Sequence, residues 1–337
     1  MSAFVRDIRH RGEFAAAWCL LQIVRSLPLC AVRPLAWSIS CVVRLVPDAE
    51  KTVRANLHTA MPELPDPEIR SISRKAFFHM IWNLLEFFWI GGRPERIRRC
   101  YHLPEDITER LKKHVAAGER IIFVNPHLGS WEASGIMAPF YAGVDMVAIA
   151  KPVRNPYLNR LLNSGGREKT RGLEIIFSKG AMRSALQALR QGRGVGTLID
   201  QNTRVRDGGI FVNFFGVPVP GSSAPAMLKR YCDAHNIPAV IIYGTSLRLA
   251  DGRNTAHSEY LSKPFSESAD DREVMQELMQ ITEKYIRMYP EQYLWFYKRF
   301  QYIAPDCPEE IRKRYPEYAV DPRPEFFRKT ERQQELK

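Results

Sequence analysis

The chain has 337 residues, of which 45% are hydrophobic and 26% charged, and its formal net charge is +12. That length carries one large α/β domain with a helical extension, or two modest domains, and the composition excludes a disordered polypeptide. Six cysteines (Cys19, Cys30, Cys41, Cys100, Cys232, Cys307) form no Cys-x-x-Cys pair and none lies at zinc-ligand spacing from a histidine, so free thiols in a reducing compartment are expected rather than a disulfide framework.

Residues 14–46 are strongly apolar, but Arg25, Arg33 and Arg44 interrupt them, and Pro28 and Pro34 are expected to break helix continuity. The longest charge-free piece, Phe14 to Val24, has eleven residues. A bilayer span needs roughly 20. No small-residue cleavage site follows, so a signal peptide is not indicated. The pattern fits two helices lying in a membrane interface, with arginines snorkelling to headgroups; two core helices of a soluble protein fit it nearly as well. Residues 68–90 read as a second apolar helix, closed by Gly91-Gly92 and Pro94. Its aromatic wealth suits a packed core or a lipid-contacting wall.

From residue 120 short β-branched runs alternate with helical segments. Strands are expected at Arg120 to Val124, Asp145 to Ala150, Leu173 to Phe177, Gly194 to Ile199 and Pro238 to Thr245. Helices are expected between them at Trp131 to Tyr141, Pro156 to Thr170, Lys179 to Gln191 and Ser223 to His235, with a last one over Asp270 to Met288 before Pro290. This alternation predicts an α/β fold, a mostly parallel sheet flanked by helices, preceded by an apolar, membrane-facing helical extension. The division expected is residues 1–48 as apolar membrane-associating helices, 49–303 as the α/β domain, and 304–337 as a charged, proline-containing tail that is extended or wraps the surface. The charge is uneven: from Lys151 to Arg206 twelve Lys and Arg stand against three acids. Such a patch is compatible with nucleic-acid phosphates, lipid headgroups, an anionic carrier, or a merely solvated surface.

The chemistry centres on the run Asn125-Pro126-His127-Leu128-Gly129-Ser130-Trp131-Glu132. Ile121 to Val124 is the strand before it, and Ser130 reads as the N-cap of the helix after it. His127 then lies at the carboxyl end of a strand, where open α/β sheets hold ligands. On one continuous helix His127 and Glu132 would stand about 140° apart. With His127 in the loop and Glu132 in the helix, carboxylate and imidazole are expected to touch. A carboxylate on one ring nitrogen fixes the tautomer and leaves the other to take a proton from an alcohol. No Gly-x-Ser-x-Gly or cysteine nucleophile motif accompanies them, which favours direct transfer over a covalent intermediate. Gly129 and Ser130, at the helix start, are the expected backbone donors to an oxyanion. The plain alternatives are a loop histidine and a glutamate that serves only the helix dipole.

These residues resemble a family, the bacterial lauroyl/myristoyl acyltransferases of lipid A biosynthesis within the wider lysophospholipid-acyltransferase group. The blocks occur in order. Asn125 to Glu132 looks like the catalytic His-x4-Asp/Glu block. Lys151-Pro152-Val153-Arg154-Asn155-Pro156 is similar to an Arg-Pro-x-x-Asn-Pro segment. Arg167 to Gly172 falls at an arginine-rich turn. Asp200-Gln201 and Gly209 to Pro218 look like the Asp-Gln and Phe-Phe-Gly blocks, and Tyr289 to Trp295 like the terminal Pro-Glu-Gln signature. Two departures, Lys151 for the usual Arg and Tyr297-Lys298-Arg299-Phe300 for a commoner His-Arg-Arg-Phe, bear on the acceptor more than on the chemistry.

The resemblance implies an O-acyltransferase that moves a fatty acyl chain from an acyl-carrier-protein or CoA thioester to a hydroxyl of a membrane glycolipid, such as a lipid A precursor. His127 would be the base and Glu132 its partner. Substrate contacts are expected from Arg154, Arg167, Arg171, Asp200 and Gln201, with arginine preferred because it grips phosphate bidentately. Asp200 equally suits a cap or turn, and Phe211, Phe214 and Phe215 suit either an acyl groove or the core. No metal or cofactor is implied beyond the thioester co-substrate, and no nucleic acid, since no binding motif accompanies the charge. The implied location is the cytoplasmic face of the inner membrane, monotopic or with a single anchor. Another glycolipid or a lysophospholipid as acceptor, and a non-catalytic binder of anionic membranes, are the alternatives.

Overall fold

The computed structural model describes residues 3–91, 93–165, 172–177 and 180–328. Five helices come first: α1 (Ala3–Ser26), α2 (Leu29–Val43), α3 (Pro47–Ala60), α4 (Asp66–Ile90) and α5 (Pro94–Cys100). The chain then alternates through β1 (Tyr101–His102), α6 (Glu105–Ala116), β2 (Arg120–Asn125), α7 (Trp131–Ala142), β3 (Met146–Ala150), α8 (Pro156–Gly165), β4 (Leu173–Phe177), α9 (Ala181–Arg190) and β5 (Gly194–Leu198). A hairpin of β6 (Gly209–Phe214) and β7 (Val217–Ser222) leads to α10 (Ala224–Ala234), β8 (Ala239–Arg248), β9 (Asn254–Glu259), α11 (Asp271–Met288) and the short α12 (Glu309–Arg312).

The main sheet has seven strands in the order β1-β9-β8-β2-β5-β3-β4, parallel except where β9 runs against β8. Side chains on β2 alternate as a strand requires. Ile122 and Val124 join the core beneath α9, α10 and α11, while Ile121 and Phe123 join the one beneath α6 and α7. Helices therefore cover both faces, which is why these strands are apolar throughout. Because β2 is flanked by β5 and β8, the loops leaving those strands meet at one edge.

Helix α4 spans both cores: Ile69, Ile72 and Phe77 pack in one, Ile81, Trp82, Leu85 and Trp89 in the other. It opens with Asp66 and Glu68, which favour a helix start, and stops at Gly91 in the left-handed region (φ 51°). The expected break at Pro34 does not occur; this proline lies inside α2, while the interruption comes at residues 27–28. Near a helix start a proline forfeits one hydrogen bond, here to the carbonyl of exposed Cys30. No described helix is long and apolar enough to cross a membrane, and α2 with α3 passes only as a pair bent by 98°. Trp18, Ile23, Trp37, Val42 and Leu45 are exposed on α1, α2 and the turn beyond.

The Phe-Phe-Gly block is a hairpin turn. Phe215 and Gly216 have φ of 52° and 71°, the paired left-handed values of a two-residue loop, and Arg314 Nη2 donates to the Phe215 carbonyl at 2.7 Å. Phe214 and Phe215 are buried in the core, and Phe211 packs on Phe326. The tail wraps back over this hairpin, with the Tyr315 hydroxyl donating to the Pro218 carbonyl and the Tyr318 hydroxyl bonded to Asn56 Oδ1.

Candidate active site

The site forms where the loops after β2 and β5 touch. Asp200, two residues past β5 and 2% exposed, presents both carboxylate oxygens to His127: Oδ2 accepts the backbone N–H at 2.9 Å, and Oδ1 meets ring Nδ1 at 2.7 Å. Burial pushes the Asp200 carboxyl up, but the charge and two hydrogen bonds of His127, with the Arg299 guanidinium, outweigh it and hold the group below its usual range. An ionised carboxylate on Nδ1 puts the neutral ring's proton there. Nε2 is left with a lone pair, and Gln201 Nε2 lies 3.2 Å from it, placed to donate. Trp131 packs against the ring at 5.6 Å between centroids.

Arg299 lies beneath, 1% exposed, its Nη1 donating to Asn202 Oδ1 at 2.8 Å and to the Pro220 carbonyl at 2.7 Å. The buried Tyr293 hydroxyl is raised well above its ordinary range, by burial first and then by Asp200.

The expected contact between imidazole and Glu132 is not what occupies the ring nitrogens; Asp200 and Gln201 do. The physical reason is register: β2 and β5 are neighbours, so a carboxylate at the end of β5 reaches His127 more directly than one on the first turn of α7. Glu132 is half-buried in that turn. Arg154 is exposed in the loop between β3 and α8, and Arg167 and Arg171 lie outside the described residues. Asp200 and Gln201, expected as substrate contacts, both meet the His127 ring.

Two local expectations are overturned. The Ser130 side chain does not cap α7; its hydroxyl is 2.9 Å from that of Tyr101. The backbone N–H groups expected to hold an oxyanion are already engaged, Gly129 with the Gln292 carbonyl at 2.9 Å and Ser130 with the Ser246 carbonyl at 2.8 Å. The loop is laced between β8 and residues 292–294, and Leu294 N–H also donates to the His127 carbonyl at 3.0 Å. Gly129 is indispensable to this path: φ is 60°, and a Cβ there would fall 1.9 Å from the Ser246 carbonyl oxygen.

A buried polar network holds the loop from α4. Arg248 donates from Nη1 to Glu86 Oε2 at 2.7 Å and from Nη2 to Glu86 Oε1 at 3.0 Å and Asn83 Oδ1 at 2.7 Å, while Asn83 Nδ2 donates to the Gly129 carbonyl at 2.8 Å. Glu86 Oε1 also accepts from the Tyr101 hydroxyl at 2.8 Å, so a second arm runs through Tyr101 to Ser130. Gln292 fixes Arg248 from the far side, accepting from its N–H and donating to its carbonyl, both at 2.8 Å. Sequence reasoning missed Asn83, Glu86 and Arg248, and met Gln292 and Arg299 only inside motif blocks, with no role at the site. One signal was present: Asn83 and Glu86 are polar residues three apart, on one helix face, inside an otherwise apolar aromatic run.

An imidazole with a carboxylate on one nitrogen and a lone pair on the other, at the carboxyl edge of a parallel sheet, suits an enzyme that takes a proton from an alcohol. Comparison with known proteins gives the reaction class. The chain belongs to the bacterial lipid A biosynthesis acyltransferase family, whose model matches residues 1–302, and it is an acyltransferase. It is 26% identical over 308 residues to the lipid A biosynthesis lauroyltransferase of Escherichia coli K12, covering 88% of this chain and 92% of that one. It is 24% identical to the lipid A biosynthesis palmitoleoyltransferase of the same organism, covering 75% and 78%. A lipid A biosynthesis acyltransferase of Haemophilus influenzae is also 24% identical, covering 74% and 76%.

Proposed function

We propose that the protein acylates a hydroxyl of a lipid A precursor at the cytoplasmic face of the inner membrane, using an acyl-carrier-protein or CoA thioester as donor. The observation that carries this reading is the His127–Asp200 pair, 2.7 Å apart, with Nε2 turned away from it toward Gln201. The acceptor hydroxyl takes the place of the Gln201 amide on Nε2 and gives up its proton there as its oxygen attacks the thioester carbonyl. The C–S bond then breaks, and the departing thiolate takes the proton back from the imidazolium. Asp200 stabilises that cation without being protonated itself. Glu132 is the second carboxylate of the proposed site, at the positive end of α7, where it adds to the field that favours imidazolium.

Arg154, with Arg167 and Arg171, is proposed to bind acceptor phosphates, and the basic stretch from Lys151 to Arg206 to steer an acidic carrier. The exposed tryptophans and aliphatic residues of α1 and α2 are proposed to lie in the membrane interface. The chemistry needs a base and charge stabilisation; no metal or redox group enters the proposal. The test is turnover of the purified protein with acyl thioester and candidate glycolipids, wild type against His127→Ala, with products read by mass spectrometry. The proposal expects transfer by the wild type and loss of most of it in the variant, with membrane affinity kept. Absence of transfer in both would leave a membrane-binding protein.

A further inference from the structure

Helix α1 does more than present an apolar surface. Its first turns form one wall of a cleft of about 590 Å³, lined by Arg6, Asp7, Arg9 and His10, with Arg154 and Pro156 forming the other wall. Arg6, Arg9 and His10 are spaced three and four apart, so they share one face of the helix. The opposite wall is held in register by buried Asn155. Its Nδ2 donates to the His10 carbonyl at 2.9 Å and to Glu13 Oε2 at 2.8 Å, and its Oδ1 accepts from Tyr157 N–H at 3.0 Å. The Tyr157 hydroxyl donates to Asp7 Oδ1 at 3.0 Å, and its ring packs on Phe14 at 6.0 Å. This clamp fixes Arg154 across from α1.

The charges in the cleft are unbalanced. Asp7, the one acid lining it among the described residues, is already bound by Tyr157 and by Arg11 at 2.8 Å, and those two hydrogen bonds lower its carboxyl. Arg9 is paired with Glu13 at 3.3 Å. Among the described residues neither Arg6 nor Arg154 is paired with a carboxylate. Two exposed guanidinium groups thus face a space with room for a phosphate and the group that carries it. Val5 and Ile8, on the same two turns, are 50% and 54% exposed. An anion held here lies beside apolar side chains that favour acyl chains over water, as at the headgroup level of a bilayer.

We propose that Arg6 and Arg154, clamped together by Asn155, form a binding site for the phosphate of a membrane lipid. The inference rests on the proposed function only in expecting that lipid to serve as acceptor; binding is read without turnover, so each can fail alone.

The test compares sedimentation of the full chain with neutral phosphatidylcholine vesicles containing either phosphatidic acid or, at equal surface charge, oleic acid. Inorganic phosphate is titrated as competitor at constant ionic strength. Wild type should prefer the phosphatidic acid vesicles, and Arg6→Ser/Arg154→Ser should lose about 25-fold in affinity for them, at roughly fivefold per arginine near an anionic surface. The control Lys112→Ser/Lys113→Ser, which removes equal charge from α6, should stay close to wild type, and so should His127→Ala. Calorimetry of wild type with a short-chain phosphatidic acid supplies a readout that needs no variant. Equal losses in the two double variants, or no preference for phosphate over carboxylate lipids, would overturn the site. Calorimetric binding of inorganic phosphate with no measurable lipid binding would assign the cleft to free phosphate and overturn it equally.

Discussion

Gly129→Ala tests whether the strand-to-helix loop is as closely fitted as its contacts imply. The new Cβ would stand 1.9 Å from the Ser246 carbonyl oxygen, 2.8 Å from its carbonyl carbon and 3.2 Å from Leu247 Cα. All three are backbone atoms of β8, which is locked between β2 and β9, so no side chain can swing away. Relief requires the loop to retreat by about 1 Å, which breaks the bonds of Gly129 and Ser130 to Gln292 and Ser246. Left-handed backbone disfavours alanine by roughly 1–2 kcal/mol, and overpacking adds about 1–3 kcal/mol. The expected destabilisation is about 2–5 kcal/mol, read from the denaturant midpoint. A shift of that size carries His127 off Asp200, and displacement of a reacting group by about 1 Å costs roughly 100-fold in rate. Turnover measured below the unfolding transition should fall by that order. Stability within about 0.5 kcal/mol of wild type, which is ordinary for an unconstrained surface site, together with unchanged turnover, would refute the reasoning.

Further outcomes follow from the buried groups. Glu86→Gln leaves the Arg248 guanidinium without its counter-charge and should destabilise by roughly 3–5 kcal/mol, whereas Arg248→Met combined with Glu86→Gln should cost less than the sum of the single changes; a double-mutant cycle in urea reads the coupling, and additive effects would contradict a linked pair. His79, pushed down to about 3 by burial first and then by Arg248, Lys75 and Arg33, is neutral in the fold. Because an unfolded histidine titrates near 6.5, the fold gains from this group above that pH and loses the gain as pH falls from about 6.5 toward 3, by at most about 1.4 kcal/mol per pH unit. His79→Leu should flatten that acid limb of the stability profile, and an unchanged slope would count against the burial. Asn155→Ala should detach Arg154 from α1 and weaken phosphatidic acid binding with little loss of global stability; undiminished binding would show that the clamp is unnecessary.

Most of the α/β framework was legible because local signals agree there. Leu173 to Phe177 is a β-branched run between turns, and Trp131 to Ala142 opens after a strand and closes at Gly143. The failures share one cause: contacts made between distant segments leave no local spacing. The carboxylate on His127 comes from Asp200, 73 residues on, through the adjacency of β2 and β5. Ser130 has the identity of a cap but gives its hydroxyl to Tyr101, and the N–H groups of Gly129 and Ser130 look free until residues 246 and 292 are folded beside them. Phe214 and Phe215, which the sequence left open between an acyl groove and the core, are buried in the core, with Phe215 on the left-handed turn of the hairpin. Arg248 and Glu86 were invisible as a pair, since nothing in either segment alone says that two charges will be buried together.

The most direct measurement is the rate of acyl transfer by Asp200→Asn beside Glu132→Gln, each checked for a native melting transition. If the β5 carboxylate holds the imidazole in its working tautomer, Asp200→Asn loses about 10³–10⁴-fold in turnover, and Glu132→Gln loses far less. A folded Asp200→Asn protein that transfers acyl groups at nearly the wild-type rate, while Glu132→Gln does not, would move the partnership to α7 and contradict the account.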